Sequence, residues 1–186
     1  GMLEALALLP LAEDEAAKAV RQLHAFFPFA DTAGEAMGIA QRDEISGALT
    51  LVLSILKLNE NGFTARFDSR DSITATKETT QNIVEAKMNA LGWSCTGNFH
   101  EGHYVDGNSD FIKALLLSYE EFTGKKGFCQ STGGGTYVHE IPGGVAFGLG
   151  VENFNPRAHG ANERQRISDL IRGAEIYAAV IARVCG

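Results

Sequence analysis

Two short motifs in the last third of the chain contain residue types that could do chemistry. A glycine run at 133–135 precedes Thr136, and His159 lies further on in a polar Pro-Arg-Ala-His-Gly turn. Successive glycines let backbone N–H groups approach an anion or a carbonyl oxygen, and the Thr136 hydroxyl adds a donor. A neutral imidazole on a turn is a good zinc ligand. Each motif also has an ordinary interpretation, a plain turn for the glycines and a surface histidine for His159.

Arg70 is a candidate for binding a carboxylate. It shares the polar face of a predicted strand with Arg66 and Asp68, and a guanidinium can hold a carboxylate through two parallel hydrogen bonds. The alternative is a cross-strand ion pair, which is favoured when the strand is considered alone. His100 and His103 have an H-x-x-H spacing, but their glycine-bearing loop fixes no ligand geometry, so we expect no metal there.

No catalytic nucleophile is predicted. The serines and cysteines lack the G-x-S-x-G pattern of a nucleophile elbow, and no base is placed beside them. The glycine run lacks both the Lys-Ser/Thr ending of a P-loop and the G-x-G-x-x-G spacing of a dinucleotide site. The motifs therefore favour binding and metal ligation over covalent catalysis.

Hydrophobic periodicity predicts two helices and three strands in the first half of the chain. Apolar residues recur at helical spacing in two segments and alternate in three others, with an Asn-Gly turn between the first two strands. The order α-β-β-α-β predicts a small sheet with two helices on one face, a two-layer α+β sandwich. The predicted bounds are 13–27, 49–58, 63–70, 77–91 and 93–99.

The second half is predicted to contain two helices and two short strands. Ser109 and Gly124 are suited to cap the first helix, and Ser168 to cap the last one. A domain boundary is expected near residue 104, dividing the chain into 2–103 and 104–186. The predicted strands are 128–131 and 145–147, and the predicted buried stripe of the last helix is Leu170, Ala174, Tyr177, Ala178 and Ile181.

Composition excludes several classes of protein. The 186 residues carry a formal charge of −7 and are 45% apolar, so the chain can bury a core. Without a cluster of lysine or arginine, a nucleic acid or an anionic membrane is not an expected partner. Three widely spaced cysteines are typical of reduced thiols, and no apolar stretch approaches the ~20 residues of a membrane span. The N-terminus lacks the pattern of a signal peptide, so a cytoplasmic location is expected.

Five segments come in an order and spacing that we recognise. They are His103-Tyr104-Val105, Gly124-Lys125-Lys126, Gly133-Gly134-Gly135-Thr136-Tyr137, Gly144-Val145-Ala146-Phe147-Gly148 and His159-Gly160-Ala161-Asn162-Glu163. Together they resemble the C-terminal part of the dipeptidase V and Xaa-His dipeptidase branch of the aminoacylase-type zinc peptidases, metallopeptidase family twenty. Residues 3–103 resemble the lid domain of that family, which is ferredoxin-like and also serves dimerisation.

The resemblance implies zinc as the cofactor and a role for each candidate residue. The histidine of the family's H-x-x-N-E motif is a zinc ligand, which here is His159. The arginine that ends the second strand of the lid binds the free carboxylate of the substrate, which here is Arg70. The glycine run implies that Gly134, Gly135 and Thr136 line the same end of the substrate site. Where the family has Asp-x-Arg-Tyr-Pro, residues 68–72 of this chain are Asp-Ser-Arg-Asp-Ser.

Family members also carry an upstream half with an H-x-D pair, a Glu-Glu pair and a further aspartate. The chain begins where the first helix of the lid is expected, downstream of all of these, and it contains no H-x-D pair. We therefore expect the chain to correspond to the lid and the C-terminal catalytic segment of a zinc-dependent dipeptidase, and to be inactive alone. Its expected partners are a dipeptide or another small molecule, and a second copy of itself through exposed apolar faces.

Two alternatives remain open at this stage. The chain could be a non-catalytic module that dimerises or binds peptide carboxylates. It could also be part of an enzyme that deacylates N-acyl amino acids, because sequence alone separates these substrates poorly.

Overall fold

The fold is a mixed α+β arrangement. A computed structural model describes residues 1–11, 14–59, 61–149 and 153–186. The chain forms two compact units, each with its own apolar cluster. The first unit comprises Gly1–His103 together with Ser131–Gly133, and the second comprises Tyr104–Gln130 together with Gly134–Gly186.

The first unit contains three helices and two antiparallel strand pairs in its described residues. Strand β1 pairs with β2, and β3 pairs with β4. The elements are α1 (Met2–Ala7), α2 (Glu15–Phe26), β1 (Arg42–Asp43), β2 (Gly47–Ala48), β3 (Thr50–Asn59), β4 (Gly62–Arg70) and α3 (Gln81–Ala90).

The predicted hairpin is confirmed, with one change in the way its side chains face. Asn59 pairs with Gly62 at the turn, where the Gly62 φ of +137° suits a residue without a Cβ. Leu51 and Leu53 point inward as expected, but Ile55 is 44% exposed. The pairing register shifts between Leu53 and Ile55. This β-bulge inserts one residue, so every later side chain of β3 changes face.

The predicted third strand at 93–99 is wrong, because the structure assigns no strand to these residues. The Trp93 ring packs edge-on against Phe63 with 4.8 Å between ring centroids. The Gln81 side-chain amide donates to the Gly97 carbonyl at 3.0 Å. These side-chain contacts hold 93–99 against the first unit. The Gly97 carbonyl is already bonded to Gln81 and is therefore less available for strand pairing. Within the described ranges, the hairpin sheet therefore has two strands.

The core of the first unit lies between the hairpin, α3 and the loop before β1. Helix α3 begins at Gln81, four residues after the predicted start, because threonine hydroxyls hold the preceding residues in turns. Thr79 N donates to Thr76 Oγ1 and the Thr80 hydroxyl donates to Thr76 O. The buried members of the cluster are Met37, Ile39, Leu49, Leu51, Val84 and Met88.

The second unit contains α4 (Asp110–Thr123), a short 3₁₀ helix (Tyr137–Glu140) and α5 (Ile167–Cys185). Both predicted caps of α4 are confirmed. The Ser109 hydroxyl accepts from Ile112 N at 3.3 Å, and Gly124 adopts a left-handed φ of +67°. Residues Ile112 and Leu115 of α4 are buried against Ile176 and Val180 of α5.

Four predictions for the second half are wrong: the two short strands, the Ser168 cap and the buried stripe of the last helix. No strand is assigned at 128–131 or 145–147, because no described strand pairs with either segment. Ser168 does not cap α5, which begins after Arg166, whose guanidinium bonds Asp169 at 2.8 Å. The predicted stripe is exposed instead of buried. Ile176 and Val180, on the opposite face of α5, contact α4 instead.

A single carboxylate organises the loop after α2. Asp31 accepts hydrogen bonds from four backbone N–H groups, those of Ala33, Gly34, Glu35 and Ala36, at 2.7–3.1 Å. Partial burial by itself would raise the pKa of Asp31, but the four donors outweigh it and hold the pKa below the ordinary value of 3.8. The ionised carboxylate therefore fixes the turn that leads into Met37 and Ile39 of the core.

We predict that Asp31→Ala lowers the free energy of unfolding by about 1–2 kcal/mol at pH 7, because several backbone donors lose their acceptor. Asp31→Asn keeps one acceptor oxygen and should lose less. Since the folded pKa lies below 3.8, the contribution is present at neutral pH and disappears as the pH falls through the folded pKa. Urea unfolding at pH 7 and pH 3 measures this. An equal deficit of the alanine variant at both values would contradict the assignment.

Candidate functional site

Arg70 is the last residue of β4 and pairs with Thr50 at the open end of the hairpin. The preceding polar residues of this face are engaged: Asp68 Oδ2 accepts from the Ser54 hydroxyl at 2.7 Å, and Asp68 Oδ1 lies 3.8 Å from Arg66 Nε. In the part of the chain that the structure describes, the Arg70 guanidinium has no hydrogen-bond or ion-pair partner. It is exposed and available to an anionic ligand.

The β1–β2 turn adjoins the segment that follows Arg70. The Ser46 hydroxyl donates to Asp43 Oδ2 and accepts from the backbone N–H of Ile73 at 2.9 Å. The hydroxyl and backbone N–H of Ser46, with the N–H groups of Ile45 and Ile73, hold the pKa of Asp43 below its ordinary value. This chain of hydrogen bonds ties the turn to the residues directly after β4.

The first glycine of the run belongs to the same unit as Arg70. A Cβ built on Gly133 would lie 3.5 Å from Arg70 Cγ, so the Gly133 backbone lies against the aliphatic part of that side chain. Nearby in the sequence, the Ser131 hydroxyl is 3.5 Å from the Ser46 carbonyl oxygen. We define the hairpin corner as Asp43, Ser46, Arg70, Ile73 and Gly133.

Gly134, Gly135 and Thr136 belong to the second unit and are exposed. Thr136 precedes the 3₁₀ helix, and its side-chain oxygen accepts from Val138 N at 3.2 Å. Accepting this bond leaves the hydroxyl hydrogen free to be donated. Thr136 can therefore cap the helix and donate to a ligand oxygen at the same time.

His159 lies in a loop with an unusual backbone. Every non-glycine residue with positive φ in the described ranges falls within 153–162: Asn153 (55°), Arg157 (54°), His159 (62°) and Asn162 (60°). The left-handed conformation disfavours residues that carry a Cβ, and asparagine and histidine tolerate it best. Strain of this kind is concentrated at functional sites. The His159 side chain is exposed.

Arginine side chains hold this loop in place. Arg164 N donates to Pro156 O at 2.9 Å and Arg164 Nε donates to Asn155 O at 3.4 Å, which closes the loop around His159. The guanidinium carbons of Arg164 and Arg166 lie 5.9 and 4.8 Å from the centre of the Phe154 ring, in cation–π contact. The histidine is thus presented on a closed loop with its side chain exposed.

The described residues do not form a complete zinc site. Over 1–11, 14–59, 61–149 and 153–186, no group of three or more histidine, cysteine, aspartate or glutamate side chains could hold a metal ion. A catalytic zinc ion needs about three protein ligands. His159 can supply one of these ligands, but the described donors around it do not complete the set. The H-x-x-H pair at His100 and His103 belongs to no such group either.

The structure thus places the sequence-predicted residues at three locations. Arg70 lies at the hairpin corner, Gly134, Gly135 and Thr136 precede the 3₁₀ helix, and His159 lies in the strained loop. The sequence alone does not show that Ser46 and Gly133 lie near Arg70, because only the tertiary structure brings 43–46, 70–73 and 131–133 together. The left-handed backbone at His159 and Asn162 could have been predicted, because the sequence His-Gly-Ala-Asn is rich in residues that tolerate positive φ.

The helices within the described ranges lack the combination of length and apolar character needed to cross a bilayer.

Comparisons with known proteins point to dipeptidases. No protein-family model matches the chain. The chain is 32% identical over 158 residues to "Putative dipeptidase YtjP" of Bacillus subtilis (strain 168). It is 33% identical over 153 residues to the Beta-Ala-Xaa dipeptidase of Lactobacillus delbrueckii subsp. lactis. Each of these alignments covers 81% of this chain and 32% of the relative. A "Putative dipeptidase" of Staphylococcus epidermidis is 28% identical over 99% of this chain and 39% of its own length.

The chain therefore spans about a third of the length of the curated relatives that it matches. Their names support a relationship between this chain and dipeptidases.

We predict that Ser46→Ala destabilises the hairpin corner by about 1 kcal/mol, because the backbone N–H of Ile73 loses its acceptor. Ser46→Thr keeps the hydroxyl and serves as the matched control. Thermal unfolding measures the loss of stability, and amide hydrogen exchange at Ile73 locates it. Unchanged protection of the Ile73 amide in the alanine variant would show that the hydroxyl does not hold this segment.

Proposed function

We propose that the chain supplies the substrate-carboxylate end of a dipeptidase, with Arg70 as the residue that binds the free carboxylate of a dipeptide. The observation that carries this proposal is the uncommitted guanidinium of Arg70 at the end of β4, beside a backbone without a side chain at Gly133. Arg66 on the same strand has an acidic neighbour in Asp68, and Arg70 has no such partner among the described residues. A planar guanidinium suits a carboxylate in two parallel hydrogen bonds.

The glycine run extends this proposal. We propose that Gly134, Gly135 and Thr136 also line the substrate site, with the Thr136 hydroxyl as a donor to a substrate oxygen. The hydroxyl hydrogen is available because the Thr136 oxygen accepts from Val138 N. The substrate class is a dipeptide of the β-alanyl or Xaa-His type. The name of the Lactobacillus relative supports the first type, and the motif resemblance supports the second.

We further propose that His159 is one ligand of a zinc ion in the complete enzyme, with the remaining ligands contributed from outside these 186 residues. The strained, closed loop that presents this histidine supports the assignment. In the same proposal, 2–103 forms the lid-type domain and 104–186 the C-terminal part of the catalytic domain. Because the relatives are about two and a half times as long as this chain, we expect the 186 residues alone not to hydrolyse dipeptides.

Substitution of Arg70 tests the carboxylate assignment. NMR titration of the 186-residue chain with β-alanyl-histidine should show binding that weakens at least about tenfold in Arg70→Gln, because a charge-assisted hydrogen bond contributes about 1.5–3 kcal/mol. Arg66→Gln is the matched control, since Arg66 lies on the same face of β4 and is paired with Asp68. It should leave the affinity unchanged.

The amide-capped peptide, which lacks the free carboxylate, should bind the unsubstituted chain as weakly as β-alanyl-histidine binds Arg70→Gln. Equal affinities for the capped and free peptides would contradict the role of Arg70.

Zinc titration by calorimetry tests the role of His159 in the chain alone. A single histidine gives weak binding, so we expect a dissociation constant far above that of a complete site. His159→Ala and the control His100→Ala should both leave this weak signal nearly unchanged. Tight binding that is lost only in His159→Ala, or dipeptide hydrolysis that a chelator abolishes, would show that the chain builds a metal site itself. The proposal of outside ligands would then be wrong.

A further inference from the structure

The aromatic ring of Phe154 connects the residues before His159 to those after it. Arg164 and Arg166 each place a guanidinium carbon near the centre of this ring, at 5.9 and 4.8 Å. Separations within about 6 Å are those of cation–π contacts. One ring on the near side of the His159 loop is therefore in contact with two cations on the far side.

Arg166 anchors this ring to the start of α5. Its Nε donates to Asp169 Oδ2 at 2.8 Å, and its carbonyl oxygen accepts from Leu170 N at 3.2 Å in the first turn of the helix. The Asp169 side chain is only 20% exposed. The guanidinium thus has a charged partner on a regular element, and the ring of Phe154 is held at a defined place beside the N-terminus of α5.

Arg164 connects the same ring to the backbone that precedes His159. Its Nε donates to Asn155 O at 3.4 Å, and its backbone N–H donates to Pro156 O at 2.9 Å. A single residue therefore contacts the ring with its guanidinium and the 155–156 backbone with two N–H groups. Within this closed loop Gly160 N donates to Arg157 O at 2.9 Å, which forms the tight turn that contains His159.

The backbone conformation of His159 decides the direction in which its side chain leaves the loop. Its φ is +62°, and at positive φ the Cβ projects differently from the Cβ of a residue at ordinary negative φ. This conformation costs free energy in a residue that carries a Cβ, so it persists only where the surroundings impose it. The contacts of Arg164 with Phe154, Asn155 and Pro156 close the loop and can impose it.

We propose that Arg164 and Phe154 are positioning residues for His159. With Arg166 they form what we call the clamp, which keeps 155–162 closed and thereby directs the imidazole. This role deepens the zinc-ligand assignment proposed above for His159 and rests on it. A ligand that is already oriented need not be ordered when the metal binds, so loss of the clamp should weaken zinc binding although the clamp itself touches no metal.

NMR of the 186-residue chain without metal tests the clamp. Arg164→Ala keeps the backbone N–H that bonds Pro156 O and removes only the side-chain contacts. It should lower the order parameters of the His159 and Gly160 amides from about 0.85 to below about 0.6, and average the scalar couplings that report the positive φ of His159. Arg157→Ala is the matched control and should change neither. Arg157 lies in the same loop, and its guanidinium has no hydrogen-bond or ion-pair partner among the described residues.

Conservative substitutions separate a positioning role from a general loss of stability. Phe154→Leu should disorder the loop as Arg164→Ala does, whereas Phe154→Trp keeps an aromatic face for both cations and should preserve the φ couplings of His159. The melting temperature should change by no more than a few degrees, because neither residue belongs to the two apolar clusters. A rigid, left-handed His159 in Arg164→Ala, or a disordered one in Phe154→Trp, would overturn the clamp.

Zinc affinity tests the consequence of the clamp. In the product of the complete open reading frame, the dissociation constant for zinc is measured by competition with a chelator. It should rise at least about tenfold in Arg164→Ala, as is typical when a residue that supports a ligand is lost, and stay unchanged in Arg157→Ala. Equal zinc affinities of the parent and Arg164→Ala would overturn the positioning role. A parent that binds no zinc would refute the assignment of His159 and this role with it, whereas the NMR result, obtained without metal, refutes the clamp alone.

Discussion

The β3–β4 hairpin buries only one of its faces, and this constraint decides which way the polar side chains of its two strands point. Leu51 and Phe67 point into the core, so Arg66, Asp68 and Arg70 must lie on the outer face. The bulge before Ile55 changes the facing of the later residues of β3 and leaves the alternation along β4 intact. Arg70 ends its strand with an exposed side chain, so a ligand can reach its guanidinium.

Side-chain oxygens accept hydrogen bonds from backbone N–H groups in segments that lack helix or strand. Asp31 accepts from four N–H groups, Asp43 and Ser46 fix the turn beside Ile73, and Thr136 caps the 3₁₀ helix. Each is a short polar side chain that bonds donors close to it in sequence or in space. These bonds make the loops around the candidate site definite in shape without a third strand. The segment before the 3₁₀ helix also contains Gly134, Gly135 and Thr136, which we propose to bind substrate.

The chain contains more of the proposed carboxylate-binding end of the substrate site than of the proposed metal-binding end. At the proposed carboxylate end the chain supplies a cation, Arg70, with the Gly133 backbone against its side chain. The metal end has one histidine on a strained loop, and the described residues do not complete its ligand set. This difference fits a chain that spans about a third of the length of its dipeptidase-named relatives.

The sequence by itself determined the features that depend on neighbouring residues. Ser109 and Gly124 cap α4, the Asn-Gly turn closes the hairpin, and alternation places Leu51 inward, since each rests on local backbone preference or periodicity. The motif resemblance also pointed to dipeptidases, because it rests on residue types and their spacing along the chain. Tertiary structure alone decided that 93–99 does not join the sheet and that the predicted stripe of α5 is exposed. Pattern shows that a surface is apolar, but which surface covers it depends on partners distant in sequence.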